Sequence, residues 1–176
     1  MSSVKRVISG GQTGVDQAAL RAAQTCGLDC GGWCPPGRIC ESGIIPPIFP
    51  LEETPEERSP EALDIPRSQR TEWNVRDSDA TLVLQTRLSD NQDLGTGWTI
   101  RCAARYGRPL LVCDPADPMA PAMITRWLRE KSVHRLNVAG PSENSCPGIG
   151  DRVYSLLRSI LSSDANERTA CVEEGT

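Results

Sequence analysis

Apolar positions along the chain follow two alternating rhythms. Val4-Lys5-Arg6-Val7-Ile8-Ser9 is short and rich in β-branched residues, and Gly10-Gly11 stops it, so it predicts a buried strand. From Val15 onward, Ala18, Ala19, Ala22, Ala23 and Cys26 recur at helical spacing until Gly27 ends the run. A face made mostly of alanine lets that helix lie close to a neighbour. The alternation returns with strands at 80–84, 109–113 and 134–139, and with helices over about 96–106, from Ala120 through Leu128, and from Ile149 to Leu161.

Between these stretches the pattern breaks. Pro35-Pro36-Gly37, Pro46-Pro47 and Pro50 exclude long regular elements over residues 28–60, and a proline-rich irregular insertion is expected at about 34–68. Within it, Glu52 to Ser68 is expected to be the least ordered part short of the C-terminus, and residues 164–176 look like a flexible polar tail. Strands alternating with helices imply right-handed βαβ units and a mainly parallel sheet. The expectation is a three-layer α/β fold in a single domain over residues 4–163, with the loops that leave the carboxyl ends of the strands sharing one edge.

Composition narrows the chemistry. No apolar run reaches the ~18 residues of a membrane span, and Met1-Ser2-Ser3-Val4-Lys5-Arg6 lacks a secretory stretch, so a cytoplasmic protein is expected. A net charge of -4 without a basic block argues against a nucleic-acid polymer or a membrane surface as partner; a small anionic ligand must be captured locally. Of the eight cysteines, Cys26, Cys30, Cys34 and Cys40 crowd together. No C-x-x-C pair exists and the lone His134 is distant in sequence, so no metal site is expected.

The candidate chemistry lies in the loops. Gly10-Gly11-Gln12-Thr13-Gly14 joins the first strand to the first helix, where glycines permit close approach and the helix start favours an oxyanion. It matches neither G-x-G-x-x-G nor a P-loop, so no dinucleotide is specified. Thr13-Gly14-Val15-Asp16 also fits a capping box, with Thr13 as cap and Asp16 reaching back. A second cradle is expected at Gly95, Thr96 and Gly97, with Thr99 one turn in, at the end of a loop beginning at Arg87. The third is the loop from Gly140 to Gly148, where Gly140, Pro141, Ser142, Glu143 and Ser145 are candidates; a plain helix entry capped by Ser145 competes.

Ahead of the second strand, Arg70-Thr71-Glu72-Trp73-Asn74-Val75-Arg76-Asp77-Ser78-Asp79 mixes charges without a sustained amphipathic pattern. As structure, it is a helix start with Glu72 and Arg76 paired at i,i+4. As function, Arg70 forks onto a ligand anion, Glu72 and Asp79 accept hydroxyl or amino hydrogens, and Trp73 covers an aromatic ring. Asn74 here and Asn137 in the fourth strand add amides, and the turn after Trp33 can present Arg38, unless Trp33 is a packing wedge.

Four words, Gly10-Gly11-Gln12-Thr13-Gly14-Val15-Asp16-Gln17-Ala18-Ala19-Leu20, Gly31-Gly32-Trp33-Cys34-Pro35, Arg70-Thr71-Glu72-Trp73-Asn74-Val75 and Asn137-Val138-Ala139-Gly140-Pro141, together resemble the molybdenum-carrier family. That family belongs to the SLOG group of Rossmann-like nucleotide-ligand proteins, which also holds the lysine-decarboxylase-like phosphoribohydrolases. The resemblance spans about residues 4 to 161. It implies a Rossmann-like fold, a homodimer or homotetramer and, from algal members, molybdenum cofactor (an anionic molybdopterin) as cargo. The chain departs from the family at Ser142, where an arginine is usual, and at Gly150, where an aromatic residue is frequent, which weakens an anion contact at Ser142. Leu94-Gly95-Thr96-Gly97-Trp98-Thr99-Ile100 also lacks the glutamate of the hydrolase relatives' Pro-Gly-Gly-x-Gly-Thr-x-x-Glu word, which disfavours their chemistry.

Three functions remain. The first is a non-catalytic binding protein for a phosphorylated pterin or nucleotide-like ligand. The second is a nucleotide N-glycosidic hydrolase with Glu72 or Asp79 as acid, base or oxocarbenium stabiliser. The third is a nucleotide-sensing regulatory module.

Overall fold

Short apolar runs become strands and the alanine- or leucine-striped runs become helices. A computed structural model of the chain describes residues 4–86 and 94–173, with side chains as far as Ser162. In chain order the elements are β1 (Arg6–Ile8), α1 (Val15–Thr25), β2 (Asp29–Cys34), β3 (Ile39–Cys40), β4 (Gly43–Ile44), β5 (Leu51–Glu53), α2 (Ser68–Arg76), β6 (Ala80–Leu84), α3 (Leu94–Arg105), β7 (Leu110–Cys113), α4 (Ala120–Glu130), β8 (Arg135–Ala139) and α5 (Ile149–Glu173). Six strands make one sheet in the order β5-β2-β1-β8-β6-β7, and every pairing in it is parallel. β3 and β4 form a separate antiparallel hairpin.

Burial assigns the layers. Ala19, Ala22 and Ala23 of α1, Ile124 and Leu128 of α4, and Val153 and Leu157 of α5 close over Val7, Leu82, Leu84, Leu136 and Val138 in one cluster. The small side chains of α1 let it lie directly along α5. On the opposite face, Val75 of α2 packs with Trp98, Cys102 and Ala103 of α3 and with Ala62 and Ile65 from the irregular segment before α2. All five residues of β6 are buried, as a central parallel strand covered on both faces requires. Each fully buried leucine contributes roughly 1.5–3 kcal/mol. The fold is therefore a single-domain, three-layer, Rossmann-like α/β structure.

Two local expectations change. Asp29–Cys34 is a six-residue strand beside β1, although its glycines disfavour strands. Gly32 explains it: a Cβ there would stand 2.5 Å from the Ser9 carbonyl oxygen and 2.7 Å from Asn74 Oδ1, so the bare backbone is what lets β2 approach. The segment 52–68 lacks long elements but is anchored, with Thr54, Ser59, Ala62 and Ile65 buried. α5 continues to Glu173, into the stretch where a polar tail is expected.

Strand order positions the site. From β1 the sheet grows outward through β2 and β5; the chain then builds β6 and β7 on the other side, and β8 closes the gap. The carboxyl ends of β1, β8 and β6 thus meet where the winding direction changes, the place where open α/β sheets hold ligands.

Candidate functional site

At that edge lies a cavity of about 320 Å³. Its walls combine Gln12 and Asp16 after β1, Gly140, Ser142 and Ser145 after β8, Arg70 from α2, and Gly95, Thr96 and Thr99 from the first turns of α3. Residues 87–93 of the second loop lie outside the described residues. The structure therefore brings the residue 10–16 turn and the start of α3 around one space. It also adds Glu41, Arg67 and Thr71, which sequence reasoning missed.

Arg70 and Asp16 form the electrostatic centre. Arg70 Nη1 donates to Asp16 Oδ2 at 3.0 Å, with the two side chains only 15% and 4% exposed. Gly10 makes room for this reach, since a Cβ there would lie 1.9 Å from Nη1. Burial pushes the Asp16 carboxyl above its ordinary value, while the Arg70 charge and the Gln12 amide pull against it. Arg70 Nε is buried without a hydrogen-bond partner among the described residues. Leaving a donor so costs about 1–3 kcal/mol.

Three amides of the glycine turn and the start of α1 are engaged within the protein. Gln12 N donates to Asp16 Oδ2, Thr13 N to Gln12 Oε1 and Val15 N to the Pro141 carbonyl. Gly11 faces packing rather than the cavity, for a Cβ there would strike Leu51 and Ile45. The capping box is also replaced: Gly14 is the N-cap of α1 and no side chain caps it. Thr13 Oγ1 donates to Glu41 and accepts from Glu143 N at 3.2 Å. The cationic groups that line the cavity are Arg67 and Arg70, the latter paired with Asp16, and the starts of α2 and α3 add their helix dipoles.

Glu41 ties three segments together from the tip of the β3–β4 hairpin. Its amide donates to Gln12 Oε1 at 2.9 Å, and its carboxylate accepts from Thr13 Oγ1 and from Asn144 N at 3.0 Å. Burial disfavours its charge, yet donors from Thr13, Asn144 and Ser142 outweigh burial and hold it below the usual carboxylate range. On its far side Thr13, Gly14 and Glu143 line a second cavity of about 310 Å³. The Glu143 carboxylate accepts from the amides of Gly148 and Gly150, so it caps α5 in the place expected of Ser145. Ser145 Oγ instead meets Ser142 Oγ at 3.0 Å. A carboxylate on a two-residue hairpin tip carries no local signal of this role.

Other sequence candidates are placed elsewhere. Arg38 donates to the carbonyls of Leu51, Pro46 and Phe49, holding the insertion closed. Asn74 clasps both backbone groups of Trp33, whose ring meets Trp73 edge-on at 4.8 Å and whose Nε1 donates to Asp77. Trp73 therefore covers Trp33 and, on its ring, Arg76 at 4.5 Å. Arg76 pairs with Asp77 rather than Glu72, and Glu72 accepts from Ser59 and from Tyr106 at 2.6 Å. Asn137 bonds Thr81 within the sheet, Pro141 supplies its carbonyl to α1, and Gly97 sits one residue beyond the cavity-lining Thr96. Among the described residues, no three of His, Cys, Asp and Glu gather closely enough to hold a metal ion.

Asp79 is the farthest removed, at the amino end of β6. It accepts from the amides of His134 and Arg135 and pairs with the Arg135 guanidinium at 3.0 Å. Burial opposes its charge, but these donors outweigh it and hold the carboxyl below its ordinary value. Asp79→Asn should therefore cost about 1 kcal/mol of stability at neutral pH. A depressed carboxyl contributes above its unfolded value and loses that contribution as pH falls through the folded one, so the cost should fade below about pH 4. Urea titrations at both pH values check this, and ligand affinity should not move.

Among the described residues no helix is long and apolar enough to cross a membrane. No curated protein sequence matches the chain. It is similar to the crystal structure of a protein named putative molybdenum carrier protein from Syntrophus aciditrophicus SB, at 34% identity and a TM-score of 0.81, over 91% of this chain and 96% of that one. The family model described as Circularly permutated YpsA SLOG family matches residues 7–161. With nearly the whole Rossmann-like domain inside that match, the chain belongs to the circularly permutated YpsA SLOG family.

Proposed function

We propose that the protein binds, without transforming it, a phosphorylated pterin or nucleotide-like ligand in the cavity at the carboxyl ends of β1 and β8. The observation that carries this is Arg70, fixed by Asp16 in the wall of a cavity that Arg67 also lines. Two arginines, Arg67 and Arg70, with two helix starts behind them, make this the natural seat of an oxyanion. The name of the similar Syntrophus protein supports molybdenum cofactor as the cargo. Glu72 and Asp79, the two carboxylates considered for N-glycosidic cleavage, are engaged outside the cavity, which counts against that alternative.

Isothermal titration with molybdenum cofactor, its metal-free pterin, AMP and ADP-ribose tests the proposal. At least one phosphorylated ligand should bind and be recovered chemically unchanged. Failure of all four, or release of free base from AMP, would overturn it.

A further inference from the structure

Arg67 occupies a position that its neighbours do not explain. It is the N-cap of α2, with φ 59° and ψ 23°, and it makes no side-chain cap. The left-handed backbone suits glycine or asparagine far better than a long side chain. No hydrogen bond or ion pair engages its guanidinium among the described residues, although it lines the cavity and its charge is felt at Glu41 across the mouth. A strained residue beside a cavity is retained where the side chain it carries is needed there.

We infer that Arg67 is a ligand-binding residue, the second arm of a clamp with Arg70 that selects ligands ending in a phosphate monoester. The spacing supports it: Arg67 and Arg70 stand three residues apart, on one side of the first turn of α2, and both line the same cavity. Arg70 is pinned by Asp16, whereas Arg67 lines the same cavity without such a partner among the described residues. A phosphate monoester has three free acceptor oxygens to share between the two guanidinium groups, one more than a diester offers. This rests on the proposed reading of the cavity as an oxyanion-bearing ligand site.

The test compares Arg67→Gly with the unsubstituted protein, titrating AMP against adenosine and metal-free molybdopterin against its dephosphorylated form. Arg67→Gly should weaken the phosphorylated ligand about 10- to 100-fold and leave the dephosphorylated one unchanged. Because glycine relaxes the backbone, Tm should stay level or rise by about 2–4 °C. Arg126→Ala, which removes an exposed arginine from α4, should leave affinity unchanged. Equal affinity of Arg67→Gly and the unsubstituted protein for the phosphorylated ligands would overturn the clamp alone. A Tm lowered by several degrees would overturn it too, by giving Arg67 a structural role. If the unsubstituted protein binds none of the probes, the reading of the cavity falls and the clamp with it.

Discussion

Arg70→Ala should destabilise the protein by about 3 kcal/mol at neutral pH and reduce affinity for a phosphorylated ligand by about 100-fold. Removing one partner of a buried ion pair leaves the other charge without compensation, and Asp16 is almost wholly buried. The pH dependence carries the signature. Burial already raises the Asp16 carboxyl despite the opposing Arg70 charge, so losing that charge raises it further. A group whose folded value is raised stabilises fully below its unfolded value and loses that contribution as pH climbs through the folded one. The deficit of Arg70→Ala should therefore be smallest near pH 4 and grow toward pH 7. Denaturant titrations across that range measure it, and adding Asp16→Asn to Arg70→Ala should recover part of the loss at pH 7. A deficit independent of pH would mean that Arg70 acts through packing alone.

The fold was legible because its rules are local. The alanine stripe of α1 and the β-branched run of β1 carry their periods within a dozen residues, and burial follows the period. β2 escaped because what makes Asp29–Cys34 a strand is a remote contact: Gly32 must be bare to pass the Ser9 carbonyl. Propensity weighs the residue itself, not the backbone that arrives beside it.

The same division runs through the site. Asp16, Thr96 and Thr99 were reached by recognising loops at one sheet edge, a consequence of topology, and Arg70 by the mixture of charges ahead of the second strand. Which amides stay open was not legible. Val15 N is taken by the Pro141 carbonyl, and that competition is settled by a loop far away in sequence. Glu72 illustrates it for carboxylates: i,i+4 spacing suggested Arg76, yet Ser59 and Tyr106 arrive from elsewhere and satisfy it inside the protein. Glu41 and Arg67 gave no motif, since their meaning comes from facing each other across a space that only the folded chain encloses.

Gly14→Ala should cost at least about 3 kcal/mol, well beyond the usual penalty for a left-handed alanine of about 1–2 kcal/mol. Gly14 has φ +77°, and a Cβ there would lie 2.7 Å from each of Glu143 N, the Pro141 carbonyl oxygen and the Ser142 carbonyl carbon. None of these is the end of a flexible side chain, so the loop after β8 must retreat. Its retreat would break Val15 N to Pro141 O and Glu143 N to Thr13 Oγ1, and with them the seam that Glu41 closes through Thr13 and Asn144. Gly107→Ala supplies the comparison, because φ is +59° there and nothing lies within 4 Å of the added carbon. It should show only the backbone penalty. Denaturant midpoints of the two variants separate steric from conformational cost, and amide exchange at Asn144 should accelerate in Gly14→Ala alone. Equal losses in both would mean that the two loops are not held together by the missing side chain at Gly14.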